Sequence, residues 1–339
     1  MNFTSDTAAP AHPKILEALS AVNAGDAASY GADAASEAAR RRLSEVFETD
    51  VEVWFVASGT AANALALSVL CSPVGAVLCH EGAHIEHDER GAPEFFTGGG
   101  KLRLLPGAHG KIDGAALAAS LDAIDRSFFH EAPAEVLSLS NLTEAGTAYS
   151  PEEVWKHADA ARAKGLWVHS DGARFANAVA AGGASPADLS WRAGVDVMTF
   201  GATKNGALGC EAIILFGAAR EKFADLVARA KRGGHAPPKM RYLAAQMSAY
   251  LENDLWLSLA RDANASAKLL ADVLLKIDGV ELAHPVDGNE VFVHLPAAAV
   301  EKLKAAGAGF YPWPDGSFRF VCAWNTTVRD IEAIASIIG

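Results

Sequence analysis

Residues 135–174 read EVLSLSNLTEAGTAYSPEEVWKHADAARAKGLWVHSDGAR, and this stretch decides the architecture. Residues 135–139 form a short apolar run of strand length. Ser150 then opens a helix: Ser150 and Glu153 make a capping box, Pro151 takes the first helical position, and apolar residues recur to Ala163. A second strand-length run follows at 166–169. Strand, helix, strand is the unit from which parallel sheets are built. Outward from it, the same alternation repeats. Strand-length runs lie at 51–57, 76–79, 101–105, 195–200 and 212–216, and a helix is expected over 60–70. The fold class is therefore α/β, a mainly parallel sheet flanked by helices.

The order changes after a helical stretch at 240–277. Short strands are expected at 280–282, 290–295 and 317–323, with a helix around 297–306 and a last helix opened by Thr327. That order suggests a smaller C-terminal α+β domain, giving a large domain at 1–249 and a small one at 250–339. A length of 339 residues suits two domains, since single cores stop growing near roughly 250–300 residues.

Half of the residues are hydrophobic and 21% are charged, which excludes a disordered, collagen-like or disulfide-stapled chain. With 29 basic against 41 acidic residues the net charge is −12, and a phosphate polymer would be repelled. Nucleic acid is not an expected partner. No apolar run reaches the ~18 residues of a membrane span, and the first six residues lack a secretory signal's basic and apolar regions, so a cytoplasmic protein is expected. Cys71, Cys79, Cys210 and Cys322 have no metal-knuckle or redox-pair spacing and are expected to be reduced, buried thiols.

Three segments carry chemistry. In VDVMTFGATKNGALGC (195–210), Lys204 stands among small, apolar and glycine residues after a buried-type strand, whereas Lys156, Lys164 and Lys302 lie on amphipathic helices. Desolvation favours a neutral amine, the nucleophile that attacks carbonyls. The plain alternative is a lysine that caps a helix or snorkels from a loop. In HSDGAR (169–174), Asp171 sits at a strand's carboxyl end, where ligands of open α/β sheets bind. An aspartate facing a pyridine nitrogen keeps it protonated and makes the ring an electron sink; a bare Asp-Gly is otherwise turn chemistry. Arg174 suits either Asp171 or a substrate carboxylate. In ASGT (57–60), Ser58, Gly59 and Thr60 start a helix whose free N–H groups suit a phosphate, although Ser-Gly-Thr alone is equally an N-cap. No nucleotide-loop or dinucleotide fingerprint is present.

An anion-binding helix start, a strand-end aspartate and a glycine-flanked lysine, in that chain order, point to pyridoxal phosphate. The sequence resembles the threonine aldolases of the β-eliminating lyase group, within fold type I of the pyridoxal phosphate enzymes. The likeness runs almost end to end. It includes Ser5-Asp6-Thr7, Tyr30-Gly31, Ser58-Gly59-Thr60, Ala83-His84, Asn141 to Thr147, His169 to Arg174, Thr203-Lys204 and Phe318-Arg319-Phe320-Val321. The resemblance implies that Lys204 carries pyridoxal 5'-phosphate covalently, that Asp171 pairs with the pyridinium nitrogen, and that His84 stacks on the ring. It implies that Ser58, Gly59 and Thr60 hold the phosphate and that Ser5, Arg174 and Arg319 receive the substrate carboxylate. His130 matches a second active-site histidine on the hydroxyl side. Shared sites in a homodimer or homotetramer are also implied, with basic residues of the 231–241 loop reaching the neighbour's phosphate.

Several positions depart from the family pattern. Thr4 replaces an arginine, Ser140 replaces a glutamate, Asn205-Gly206 follows the lysine where many members have Gly-Leu, and the 231–241 loop is long. This looks like the branch of phenylserine aldolases and broad-specificity members. The implied reaction is retro-aldol cleavage of L-β-hydroxy-α-amino acids to glycine and an aldehyde, with His84, His130 or a water as base. Two alternatives remain: β-elimination or transamination on the same cofactor, and a metal-dependent hydrolase using His80, His84 and His87. The histidine spacing would gather three imidazoles on a helix face, but Gly82 and Gly91 argue for a loop and a brief helix, and no metal is assigned.

Overall fold

The computed structural model describes residues 1–338. Seven strands make the principal sheet: β1 (Glu52–Val56), β2 (Ala76–His80), β3 (Lys101–Leu105), β4 (Ala134–Ser140), β5 (Trp167–Gly172), β6 (Val197–Gly201) and β7 (Glu211–Leu215). Their order is β1-β7-β6-β5-β4-β2-β3, and β7 alone runs antiparallel to its neighbours. β1, β6 and β7 are buried almost throughout. Strands covered by helices on both faces are apolar in continuous runs, which is why they stand out in the sequence. β5 continues to Gly172, beyond the expected run, and takes Asp171 into the sheet beside Ser140 and Thr199.

Two helices fix the sheet's carboxyl edge. The Pro151–Ala163 helix begins with the expected capping box and buries Val154, Ala158 and Ala161. The Gly59–Leu70 helix is buried on every side from Ala61 to Leu70. A helix apolar all round belongs in the interior, and its start is thereby held at the end of β1.

A four-stranded antiparallel sheet follows: β8 (Glu281–Leu282), β9 (Glu290–His294), β10 (Tyr311–Pro312) and β11 (Phe318–Val321), in the order β10-β11-β9-β8. The helices Ala297–Ala305 and Val328–Ile338 pack on it. The long helical stretch is two helices, Arg241–Leu251 and Leu255–Leu274, separated by a turn in which Asn253 and Asp254 adopt positive φ. Two apolar clusters divide inside the second of these: Trp256 and Ala260 belong to the large one, Ala267 to Leu274 to the small one. Phe3 also belongs to the small cluster, and its carbonyl accepts from Val321 N at 2.9 Å. The chain's start, expected with the large domain, is therefore stitched to the small sheet.

All four cysteines are buried and free. Burial pushes the thiols of Cys71, Cys79 and Cys322 up to about 12, so none is a nucleophile near neutral pH. Among the described residues no helix is long and apolar enough to cross a membrane.

Candidate active site

The parallel strands end at a cavity of about 270 Å³, the position that open α/β sheets offer to ligands. Ser58, Gly59 and Thr60 line it after β1, His84 after β2, Asp171 on β5, and Lys204 after β6.

Lys204 lies in a tight turn, Thr203–Asn205, whose neighbours are pinned. Cys210 N donates to Thr203 Oγ1 at 3.0 Å, and Asn205 Nδ2 donates to Tyr250 Oη at 2.7 Å and to Trp256 O at 2.8 Å. Gly206 closes the turn with φ +102°, where a side chain would be strained. A Cβ on Gly201 would sit 2.5 Å from Ala173 O, so only glycine lets β6 approach the Asp171 turn this closely. Beneath Lys204, burial pushes the Glu211 carboxyl up to about 7.

Asp171 is buried, with Oδ2 accepting from Asn63 Nδ2 at 2.7 Å and Oδ1 from Ala173 N at 2.9 Å. Burial raises its pKa, but the charge of His84, the Ala173 N–H and Lys204 outweigh burial and hold it below the usual range. Asp171 is thus an anion in the interior. His84 Nδ1 lies 2.8 Å from Glu89 Oε1, which also accepts from Asn63 Nδ2 at 2.8 Å. The hydrogen bond to Glu89 raises the pKa of His84. His84 N donates to Glu144 Oε1 at 2.8 Å, where Ser140 Oγ donates as well.

At the helix start, Ser58 Oγ accepts from Ala61 N at 3.3 Å, while the N–H groups of Gly59 and Thr60 have no acceptor within the helix. A Cβ on Gly59 would meet nothing within 4 Å, so the cradle is open on that side. The remaining wall is a charge cluster. Arg174 Nε and Nη2 donate to Asp6 at 2.7 and 3.2 Å, and Arg174 Nη1 is 3.4 Å from Glu290. Arg319 lies behind it, 3.8 Å from Glu290, with its guanidinium over the Trp313 ring. Burial alone would lower the pKa of Arg174, but Asp6 and Glu290 raise it above its usual value.

Not every expected residue is on the cavity wall. Ser5 caps the turn Asp6–Ala8, accepting from Thr7 N at 3.2 Å; Thr7 lines the cavity, and Asp6 is buried against Arg174. Arg319 acts through Glu290 and Thr4 O. His130 is not brought to the site of its own chain: it precedes β4, whereas the cavity lies beyond the far end of that strand, and its ring packs on Phe129. A role for it requires another copy of the chain. The histidine cluster does not converge either. The helix carrying His84 spans only His84–His87, His80 bonds Gly107 O and Gly82 N, and His87 bonds Glu81 O. The group close enough to share an ion is His84, Glu89 and Asp171, which does not form the expected set.

A helix start with free N–H groups, a buried carboxylate kept ionised, an imidazole and a pinned lysine around one cavity suit pyridoxal phosphate. The family described as Beta-eliminating lyase matches residues 2–298. This chain belongs to that family. A low specificity L-threonine aldolase of Pseudomonas aeruginosa is 42% identical over 98% of this chain and 95% of its own length. One from a Pseudomonas species is 40% identical over 99% and 96%. The solved structure of Leishmania major threonine aldolase superposes with a TM-score of 0.91 at 27% identity, covering 99% of this chain and 98% of that one. As a β-eliminating lyase family member of fold type I, the protein is a pyridoxal phosphate-dependent carbon–carbon lyase.

The sequence reading missed Asp6, Asn63, Glu144, Glu211 and Glu290 as parts of the site and passed over Glu89 as one acid among several. Asp6, Asn63 and Glu144 had a local signal, the first within Ser5-Asp6-Thr7, the second in the first turn after Ser58-Gly59-Thr60 and the third within the NLTEAGT motif.

Proposed function

We propose that this enzyme cleaves the Cα–Cβ bond of L-β-hydroxy-α-amino acids, of the threonine, allo-threonine and phenylserine kind, to glycine and an aldehyde. The convergence of Lys204, Asp171 and His84 on one strand-end cavity carries the reading. When bound, pyridoxal phosphate supplies an electron sink for the pair left on Cα as the bond breaks. Lys204 would hold the cofactor covalently through Nζ. The N–H groups of Gly59 and Thr60 and the side chains of Ser58 and Thr60 hold the phosphate. Asp171, ionised at neutral pH, accepts the pyridine N–H. Arg174 binds the substrate carboxylate through its planar fork, and Arg319 adds positive potential from behind. That clamp orients the Cα–Cβ bond for cleavage.

A base must take the β-hydroxyl proton as the aldehyde forms. We assign that to His84, the one histidine lining the cavity, because an imidazole titrates near neutral pH. Self-association as a homodimer or homotetramer is part of the same reading. It is supported by the exposure of Tyr30 and of Leu208, 62% exposed in the loop after Lys204. The test is direct: supply L-threonine, L-allo-threonine and phenylserine to the purified holoenzyme and quantify glycine and aldehyde. Equimolar glycine and aldehyde are expected. Pyruvate or another keto acid without glycine would overturn the proposal in favour of elimination or transamination.

A further inference from the structure

Glu89 is buried, lies outside the cavity lining, and has no part in the chemistry described so far. Its Oε1 nevertheless accepts from Asn63 Nδ2 at 2.8 Å and lies at the same distance from His84 Nδ1. Asn63 spends its second N–H on Asp171 Oδ2 at 2.7 Å. One amide group thus bridges two buried carboxylates, and an unbroken chain of hydrogen bonds runs His84–Glu89–Asn63–Asp171. Of the two groups that share this contact, the imidazole is the stronger base and the carboxyl the stronger acid. The proton between Glu89 and His84 therefore belongs to Nδ1, and the lone pair available to the cavity is on Nε2.

We infer that Glu89 is the positioning residue of the reaction: it fixes the Nδ1–H tautomer of His84 and turns Nε2 toward the substrate's β-hydroxyl. The inference rests on the assignment of His84 as base. In the proton transfer the O–H bond breaks, Nε2 gains the proton, and the O–H electron pair becomes the second bond of the aldehyde C=O. His84 ends doubly protonated, its new charge facing the Glu89 carboxyl, whose pKa burial raises and the contacts with His84 and Asn63 lower. The other charged groups around His84 are Asp171 and Lys204, with Glu144 at its backbone N–H. None of these contacts Nδ1, so the tautomer depends on Glu89 alone. Asn63 extends the control: by holding Glu89 and Asp171 on one amide, it keeps the base and the ring-facing carboxylate in fixed register. Buried carboxylates that orient an imidazole in this way commonly matter by 10- to 100-fold, in order of magnitude.

The test uses Glu89→Gln, which keeps the shape and an acceptor but removes the charge, in holoenzyme carrying ¹⁵N-labelled histidine. With its counter-charge gone, His84 becomes a weaker base. The plateau of kcat is expected to fall about tenfold or more with KM little changed, and the acid limb of the kcat profile to move to lower pH by about one unit. A residue that only supports the fold would not move that limb. Long-range ¹H–¹⁵N spectra, with His84 assigned from the His84→Asn variant, should show the Nδ1–H tautomer in the wild-type protein. An Nε2–H tautomer in the wild type would overturn the inference even if Glu89→Gln failed to fold. So would a Glu89→Gln enzyme with an unshifted limb. Wild-type enzyme that releases no glycine would instead sink the aldol reading, while the tautomer would still report on Glu89.

Discussion

The wall that Asp171, Asn63 and His84 form with Glu89 behind it, and the wall that Arg174 forms with Asp6, Glu290 and Arg319 behind it, both set buried charges against each other, and they differ in how tightly those charges are held. On the first, successive groups are joined by hydrogen bonds of 2.7–2.8 Å. On the second, only the Arg174–Asp6 pair is that close; the contacts to Glu290 are 3.4 and 3.8 Å, and neither Glu290 oxygen has a hydrogen-bond partner among the described residues. Short charge-assisted bonds resist rearrangement, whereas an ion pair beyond about 3.3 Å gives up little when one partner is exchanged. The first wall is suited to holding a ring and a tautomer fixed through the reaction. The second can let an incoming carboxylate share its arginines and then let it go.

Substitutions can break or sharpen this contrast. The largest effect is expected for Lys204→Ala, which removes the group common to both walls: glycine release from the best substrate should fall by roughly 10⁴-fold or more in a discontinuous assay. Asp171→Asn keeps the hydrogen-bonded shape of the rigid wall but removes its charge. It should lower kcat by about 10²–10⁴-fold while KM changes far less, as steady-state kinetics would record. On the adaptable wall the pattern should invert. Arg174→Lys loses the bidentate geometry toward Asp6 and substrate alike, and kcat/KM should fall about 10²-fold, mainly through KM. Arg319→Gln, one layer further back, should raise KM only about 3- to 10-fold.

The smallest expected effect concerns stability. Behind Asp171, burial lowers His169 from 6.5 to about 4, while burial raises Glu211 from 4.5 to about 7. His169 stays neutral in the folded chain. Its contribution is complete above pH 6.5 and is lost as pH falls toward 4, because the unfolded chain then binds the proton. Glu211 works in the opposite sense, favouring the fold below pH 4.5 and losing that contribution as pH rises through 7. Melting temperatures between pH 4 and 7 should therefore change little in the wild type. In His169→Gln they should fall with rising pH, and in Glu211→Gln they should fall with falling pH. Identical slopes in all three proteins would contradict the assignments.

The groups that follow a strand in a local pattern were legible, whereas Asn63 and Glu89, which complete the rigid wall, were not. Ser58-Gly59-Thr60 starts a helix directly after β1, Asp171 ends β5, and Lys204 follows β6, so strand order and the strand-end rule place them together. The other wall was not legible as a wall. Arg174 and Asp6 are 168 positions apart, and Asn289, which donates to Asp6, is 283 positions from it. No periodicity foretells such a meeting; it is created when Phe3 packs into the small sheet. His130 shows the opposite error. It stands eleven residues before Asn141 in the sequence, but the seven residues of β4 lie between them. A strand of that length carries the chain roughly 20 Å from one edge of the sheet to the other. Arg40, on the Ala34–Val46 helix, turns inward and donates to Gly31 O at 2.8 Å, a contact its neighbours on the helix gave no reason to expect.

Everything proposed for this cavity depends on Lys204 being the residue that holds pyridoxal phosphate at the strand ends. The measurement is borohydride reduction of the yellow holoenzyme, followed by proteolysis and mass spectrometry of the modified peptide. The reduced cofactor should be found on Lys204, in the peptide containing Thr203 and Asn205, and L-threonine added beforehand should diminish that adduct. Reduced cofactor on any other lysine, or a protein that takes up no pyridoxal phosphate, would contradict it.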